Sequence, residues 1–414
     1  MAAPSIDADR LWQRLMRLAE IGATPKGGVD RQALSEGEID AWRLVIGWAA
    51  QAGLVAETDA AANLFLVWKG RDRALPPLMA GSHLDSQPAG GRFDGAFGVM
   101  AALEAVTALA EAGCKPERDV IVVAWMNEEG SRFAPGMMGS EAFAGVRPIA
   151  TIRAVKDASG VSAGAEIDRQ LAAFPDLARR PLGFPLFAYI EPHIEQHTLL
   201  EEARKVIGIV TGIQGKKTYE VTIEGAKGHA GTLAMRDRRD AVVAFVEIMA
   251  RLQAQVGGID AEVKFTVGQV IVEPNAPSVV PGRMRFRIDL RHPDNAVLEK
   301  CGGLIERICA AAAKPCAATL TSLVSAASND FDAGLQALIA KSAEQRAFAT
   351  MPVLSYAGHD ARQMAPLCPS AMIFIPCRGG VSHDESEWAE PQHVAAGAQV
   401  LCDVLAARIG EVRS

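Results

Sequence analysis

Thiols are few in this chain: seven cysteines, at positions 114, 301, 309, 316, 368, 377 and 402, are scattered over 414 residues with no Cys-x-x-Cys pair. An odd, dispersed set argues against a disulfide framework or a thiolate-rich structural zinc site, and predicts reduced thiols in a cytoplasmic protein. Long apolar runs are also missing, none approaching the ~20 residues of a membrane-spanning helix. The amino-terminal Met-Ala-Ala-Pro-Ser-Ile-Asp-Ala-Asp carries charge where a secretory leader would be apolar. Nor is positive charge in excess: 42 Lys and Arg against 49 Asp and Glu leave a net charge of −7. That balance offers no broad footprint for nucleic acid or an anionic membrane, so the expected partner is a small molecule. The Gly-x-Gly-x-x-Gly and Gly-Lys-Ser/Thr signatures are absent, so Gly90, Gly91, Gly95 and Gly98 do not read as a phosphate loop. No Gly-x-Ser-x-Gly elbow provides a serine nucleophile. Cys377 ends an apolar strand, where a thiol is more often packing than nucleophile.

What is present is an ordinary globular composition, 49% hydrophobic and 22% charged, long enough for two or three domains. Leu11, Leu15 and Leu18 recur at helical spacing, and a second helical pattern spans about Glu36 to Ala52. The run from Pro77 ends in His83-Leu-Asp85. A helix from about Phe97 to Ala112 leads to Asp119-Val-Ile-Val-Val-Ala-Trp-Met126, which ends in Asn127-Glu-Glu129. Strands apolar throughout that alternate with helices predict a mostly parallel sheet covered by helices, an α/β fold, with ligands gathered at the strands' carboxyl ends.

The pattern changes near Ile209. A β segment from Thr218, a helix over about Arg238 to Gln255, strands over about Glu262 to Val272 and Arg283 to Arg291, and a helix over about Asn295 to Ala313 predict an inserted α+β sandwich. We place it at residues 212–327, between segments 1–211 and 328–414 of the first domain. The last segment contains a helix from Asp332 to Ala347 and a strand from Ala371 to Pro376 that leads into His383 and should rejoin the first sheet.

Five residues able to ligate metal stand at such element ends. His83 lies in Met79-Ala-Gly-Ser-His-Leu-Asp-Ser86, Asp94 in Gly90-Gly-Arg-Phe-Asp-Gly95, Glu129 in Trp125-Met-Asn-Glu-Glu-Gly130, His193 in Tyr189-Ile-Glu-Pro-His-Ile-Glu-Gln196 and His383 in Gly380-Val-Ser-His-Asp384. Imidazole with carboxylate suits Zn, Mn, Co or Ni, and a carboxylate can bridge two ions ~3.5 to 4 Å apart. Of the neighbouring acids, Glu129 is assigned as ligand and Glu128 as general base, because a metal held by one carboxylate leaves the other free to take a proton from bound water. Asp85 is expected to fix the His83 tautomer through its carboxylate. Each motif alone admits a plainer reading, as a turn, a surface loop or an acidic helix start. Their coincidence decides for metal.

Together these stretches resemble the hydantoinase/carbamoylase branch of the M20 metallopeptidase-like amidohydrolases, which includes N-carbamoyl-L-amino acid hydrolases, allantoate amidohydrolases and β-ureidopropionases. The resemblance covers about residues 10 to 405. It implies a homodimer with a catalytic domain and a smaller lid and dimerisation domain. Two divalent ions per subunit are implied, one held by His83, Asp94 and His193, the other by Asp94, Glu129 and His383. His193, in Glu191 to Gln196, favours this branch over peptidase relatives, which use a carboxylate there. By motif match His229, in Gly228-His-Ala-Gly231, stabilises the tetrahedral intermediate, in its own or the partner's site. Gln196, His229, Asn275, Arg291 and Gly358 become substrate contacts. Arg291 suits an acidic substrate end, since a guanidinium binds a carboxylate bidentately. The plainer alternatives are an ion pair for Arg291, a turn for Asn275 and a helix entry for His229. The implied reaction is attack of metal-bound hydroxide on a ureido carbonyl, with Glu128 returning the proton to the leaving nitrogen.

Four positions depart from the family pattern: His197 where Gly is common, Ala234 for Pro, Ser278 for Asn and Asp384 for Asn. None removes a ligand or the base, so they bear on which substrate fits. Lys216 and Lys217 add positive charge, with solvated surface as the plain reading. The expected substrate is an N-carbamoyl-L-amino acid or close ureido acid. Allantoate, N-carbamoyl-β-alanine and N-acyl amino acids stand as alternatives, and a non-catalytic dimeric binding protein is the alternative of another class.

Overall fold

A computed structural model describes residues 4–410. The first three residues of the charged amino terminus discussed above, and residues 411–414, lie outside the described part. The described chain divides into two compact units, one of residues up to Gly212 together with those from Asp330, the other Ile213–Asn329.

The first unit is built on a ten-stranded sheet. Its strands before the insertion are β1 (Val55–Thr58), β2 (Leu64–Trp68), β3 (Leu78–His83), β4 (Val120–Trp125), β5 (Ala178–Arg179), β6 (Ala188–Ile194) and β7 (Ile207–Ile213). The second unit contributes β8 (Gly215–Glu224), β9 (Gly228–His229), β10 (Lys264–Glu273), β11 (Val279–Val280), β12 (Arg283–His292) and β13 (Ala317–Ala326). The chain then returns with β14 (Asn329–Asp330), β15 (Thr350–Ser355) and β16 (Ser370–Ile375). Across the first sheet the order is β14-β7-β16-β6-β3-β4-β2-β1-β5, with β15 pairing β7.

At the centre, β16, β6, β3 and β4 run parallel, whereas β2 joins β4, β1 joins β2 and β7 joins β16 antiparallel. The central four strands are buried at every residue. This is why they read as continuous apolar runs rather than alternating ones. Helix Ala96–Glu111, buried around almost its whole circumference, and helix Pro391–Arg408 pack together against them. β1, β2, β6 and β7 were not assigned from the sequence. β6 carries the polar Glu191 and His193 within its run, which breaks the apolar pattern that marked the others.

The second unit is a four-stranded antiparallel sheet, order β10-β12-β8-β13, packed with two helices. β12 alternates buried Met284, Phe286, Ile288 and Leu290 with arginines and Asp289, the period-two pattern of a sheet with one covered face. The helices, Ala241–Gln255 and Asn295–Ala312, each begin behind an aspartate, Asp240 and Asp294, whose carboxylate accepts two free backbone N–H groups of the first turn. β13 and the β9–β11 ribbon add to the strand order expected from sequence. No helix among the described residues is long and apolar enough to cross a membrane.

Candidate active site

The parallel centre delivers its chemistry at the carboxyl ends of its strands. His83 closes β3, Glu128 and Glu129 follow β4, His193 lies one residue from the end of β6, and His383 stands in the loop after β16. Nδ1 of His83 is 2.9 Å from the carbonyl oxygen of Asp85, and Nδ1 of His193 is 2.9 Å from that of Ile194. A carbonyl can only accept, so we assign the proton of each ring to Nδ1, which turns the Nε2 lone pair outward. Nε2 of His83 and of His193 face Asp94 Oδ1 at 3.6 and 3.2 Å. Nε2 of His383 lies 3.2 Å from the other oxygen, Oδ2, and 3.3 Å from Glu129 Oε2. One carboxylate thus separates two donor sets, His83 with His193 on one oxygen and Glu129 with His383 on the other, and in each trio the ligand atoms lie within 4.8 Å of one another.

Supporting residues hold this arrangement. The N–H groups of Phe93 and Asp94 donate to Glu387 at 2.9 and 3.1 Å, and Ser382 donates to Asp94 Oδ2 at 2.9 Å. Gln87 donates to Glu129 at 2.8 Å. Gly95, at φ +62°, has no room for a Cβ, which would stand 2.3 Å from the His83 ring. The Asp85 carboxylate does more than meet His83. It is 3.5 Å from the His83 ring and accepts the backbone N–H groups of Glu128 and Glu129 at 3.2 Å each, while its carbonyl orients the imidazole. Asp85 therefore fixes the acidic pair as well as the histidine.

The electrostatics need a cation. Among the described residues the ion-pair partners of Asp94, Glu128 and Glu129 are imidazoles only. Burial, aided by Asp360, Glu129 and Asp85 and opposed by His83, holds the Glu128 carboxyl well above the ordinary carboxylate range. Burial and the Asp94 charge push Glu129 up to about 7. Where the facing imidazoles carry a second proton, on Nε2, hydrogen bonds from His193, His383 and His83 hold Asp94 low despite burial. His383 is pushed up to about 9, chiefly by Asp94. Lone pairs and carboxylate oxygens converging in a buried space repel unless positive charge lies between them, as protons or as metal. With Nδ1 of His83 and His193 bonded to a carbonyl, each Nε2 is left to take a proton or a metal, and a set of imidazole and carboxylate without thiolate fits a borderline divalent ion.

A third trio, Glu191, His193 and His359, also lies within ligating distance. Glu191 is already engaged by the hydroxyl of Ser82 at 2.7 Å and the N–H of Ala361 at 2.8 Å, so it braces the fold.

Gln196 meets this centre directly: its amide donates to Asp94 and Ser382 at 3.0 Å each, and its buried Oε1 has no partner among the described residues. Gly358 lies against Met137. His197 is exposed, its ring 5.6 Å from that of Tyr356, and Asp384 accepts from Ser386. Cys377 is fully buried with its thiol pushed up to about 12, which leaves no thiolate for nucleophilic work. On the second unit, β9 pairs with β11, which joins the His229 motif to the segment of Asn275 and Ser278; Ala230 donates to the Ser278 carbonyl at 3.0 Å. The exposed His229 accepts the N–H of Gly231 at 3.0 Å, Asn275 adopts a left-handed turn at φ +56°, and Ala234 is exposed before a short 3₁₀ turn. Arg291 donates to Asp289 at 2.8 Å; Lys216 pairs with Asp289, and Lys217 with Glu299. Gln87, Ser382 and Glu387 escaped the sequence reading. Ser382 adjoins His383 and Glu387 follows four residues later, but nothing in their spacing says that both side chains turn back to Asp94.

Residues 79–407 match the model of peptidase family M20/M25/M40. The chain is 38% identical over 416 residues to an N-carbamoyl-L-amino-acid amidohydrolase of Rhizobium meliloti, covering 97% of each. It is 33% identical over 395 residues to an allantoate amidohydrolase of Bacillus subtilis (strain 168), covering 94% of each. The crystal structure of an amidase of the hydantoinase/carbamoylase family from Burkholderia vietnamiensis superposes with a TM-score of 0.89 at 40% identity, covering 98% of each chain.

Proposed function

The chain belongs to peptidase family M20/M25/M40, and from that premise we propose that it hydrolyses the carbamoyl C–N bond of an N-carbamoyl-L-amino acid or a close ureido acid. The observation that carries the reading is Asp94, whose two oxygens face two separate sets of imidazole and carboxylate donors. His83, Asp94 and His193 would hold one divalent ion, and Asp94, Glu129 and His383 a second. Such ions supply Lewis acidity, polarising the ureido carbonyl and lowering the pKa of water from 15.7 to about 7.

The chain's own part follows from Glu128. Its raised carboxyl suits a group that must accept the proton of the attacking water and then release it to the leaving nitrogen. Its backbone N–H, held by Asp85, fixes where that proton is exchanged. As the C–N bond breaks, the amino acid leaves with the transferred proton and the carbamate remainder decomposes to ammonia and carbon dioxide. Gln196, beside Asp94, and Gly358 are proposed as substrate contacts. His229 is proposed to balance the developing oxyanion, Asn275 to contact substrate and Arg291 to take its carboxylate. A homodimer is part of the same proposal.

The test is to remove metal with a chelator, restore Mn²⁺, Co²⁺, Ni²⁺ or Zn²⁺ singly, and measure ammonia release from N-carbamoyl-L-amino acids, N-carbamoyl-β-alanine and allantoate. Metal-dependent release that falls ~10²- to 10⁴-fold in Glu128→Gln, with metal still bound, is the expected result. Release unaffected by Glu128→Gln would remove the base assignment. Silence toward every ureido substrate with every metal would overturn the activity.

A further inference from the structure

Behind the strand ends lies a second buried polar group. Asp360 is fully buried; its Oδ1 accepts the hydroxyl of Ser140 and its Oδ2 has no hydrogen-bond partner among the described residues. The next residue, Ala361, donates its N–H to Glu191 on β6, and Glu191 accepts the Ser82 hydroxyl on β3. One loop is thereby fastened to the two strands that carry His193 and His83.

Ser140 connects the same loop to Glu128. It stands in the first turn of helix Met138–Phe143, and the segment entering that helix is laced to the chain after β4. The N–H groups of Met137, Met138 and Gly139 donate to the carbonyls of Glu128, Asn127 and Met126 at 2.9, 3.3 and 2.9 Å. Contact is closest at Gly136, where a Cβ would lie 2.0 Å from the Glu128 carbonyl oxygen. Asp360 thus reaches the Glu128 backbone through one side chain and a three-bond backbone ladder. Burying an acid group in this way costs stability, and an apolar residue of similar size would serve packing better. Besides its charge, which helps hold the Glu128 carboxyl high, Asp360 contributes geometry.

We propose that Asp360, acting through Ser140, is a positioning residue for Glu128, holding the segment Met126–Ser140 so that the base stands correctly beside His83. This rests on the reading of Glu128 as base, and the test separates the two. The full-length, metal-loaded protein and its Asp360→Ala, Ser140→Ala, double-alanine and Asp360→Asn variants would be compared by steady-state ammonia release and by amide hydrogen exchange.

The alanine variants should lose ~10- to 100-fold in kcat at near wild-type KM, the size of effect that sub-ångström to ångström misplacement produces. The double variant should lose no more than either single one. Exchange over Met126–Ser140 should quicken in all three. Asp360→Asn should keep most of the kcat and the slow exchange, because its amide oxygen still accepts the Ser140 hydroxyl. Additive losses, an Asn variant as impaired as Ala, or unchanged exchange over Met126–Ser140 would each overturn the proposal. Should an aspartate variant fail to fold, Ser140→Ala decides alone. Should the wild type hydrolyse no ureido acid, the function reading fails and exchange still decides the tether.

Discussion

Gly95→Ala would place a Cβ 2.3 Å from Cε1 of His83 and 2.4 Å from both ring nitrogens, on a backbone at φ +62°. Ordinary contact begins near 3.4 Å, so the ring or the start of helix Ala96–Glu111 must move by about 1.1 Å. The ring has nowhere to retreat, being 1% exposed and bonded through Nδ1 to the Asp85 carbonyl. Two costs follow. The left-handed backbone of alanine costs on the order of 1 kcal/mol of stability. Displacing a ligand or reacting group by about 1 Å costs on the order of 10²-fold in activity. Gly113→Ala separates them: it too is left-handed, at φ +74°, but a Cβ there meets nothing within 4 Å. Both variants should melt slightly earlier than wild type. Only Gly95→Ala should bind Zn²⁺ or Mn²⁺ more weakly in chelator competition and lose about 100-fold in kcat. A Gly95→Ala protein with the metal affinity and kcat of Gly113→Ala would refute the reasoning.

Two further outcomes follow from the same site. Ser382→Ala removes a donor to Asp94 Oδ2 and an acceptor for Gln196. It should weaken metal binding by roughly 10- to 100-fold, and chelator competition that finds unchanged affinity would show the hydroxyl to be dispensable. In the metal-free protein, burial raises Glu38 to about 8, Glu129 and Glu387 to about 7 and Asp59 to about 6. An acid raised in the folded state binds its proton more tightly there than when unfolded, so that stability is whole near the ordinary carboxylate range and is lost as pH rises through the folded values. The melting temperature of the chelated protein should therefore fall between about pH 5 and pH 8, and divalent metal should restore most of the loss at the upper end. A chelated protein that melts higher at pH 8 than at pH 5 would contradict the assignment.

Much of the scaffold was legible because burial on both faces imposes a simple rule. β3, β4 and β16 read as apolar runs, and each reaches its end where His83, Glu128 with Glu129, or the loop to His383 begins. β6 was not legible as a strand, because its buried Glu191 and His193 interrupt that rule while their partners, Ser82, Ala361 and Asp94, lie far away in sequence. The part of Asp85 was half legible: its nearness to His83 followed from spacing, but the choice between carbonyl and carboxylate did not. Backbone direction after the strand gives the imidazole the carbonyl and turns the carboxylate to the amides after β4.

By itself the sequence determined the residue types at the strand ends, the family resemblance they carry and the absence of thiolate or phosphate-loop chemistry, because these depend on local composition and spacing. Only the tertiary structure decided that Asp94 offers one oxygen to His83 and His193 and the other to His383, and that Ser382, Glu387 and Gln196 hold it there. Those contacts join residues some 100 to 290 positions apart through single side-chain rotamers and loop directions. Spacing along a chain carries no record of such choices, which are made when the strands pair and the loops close over their ends.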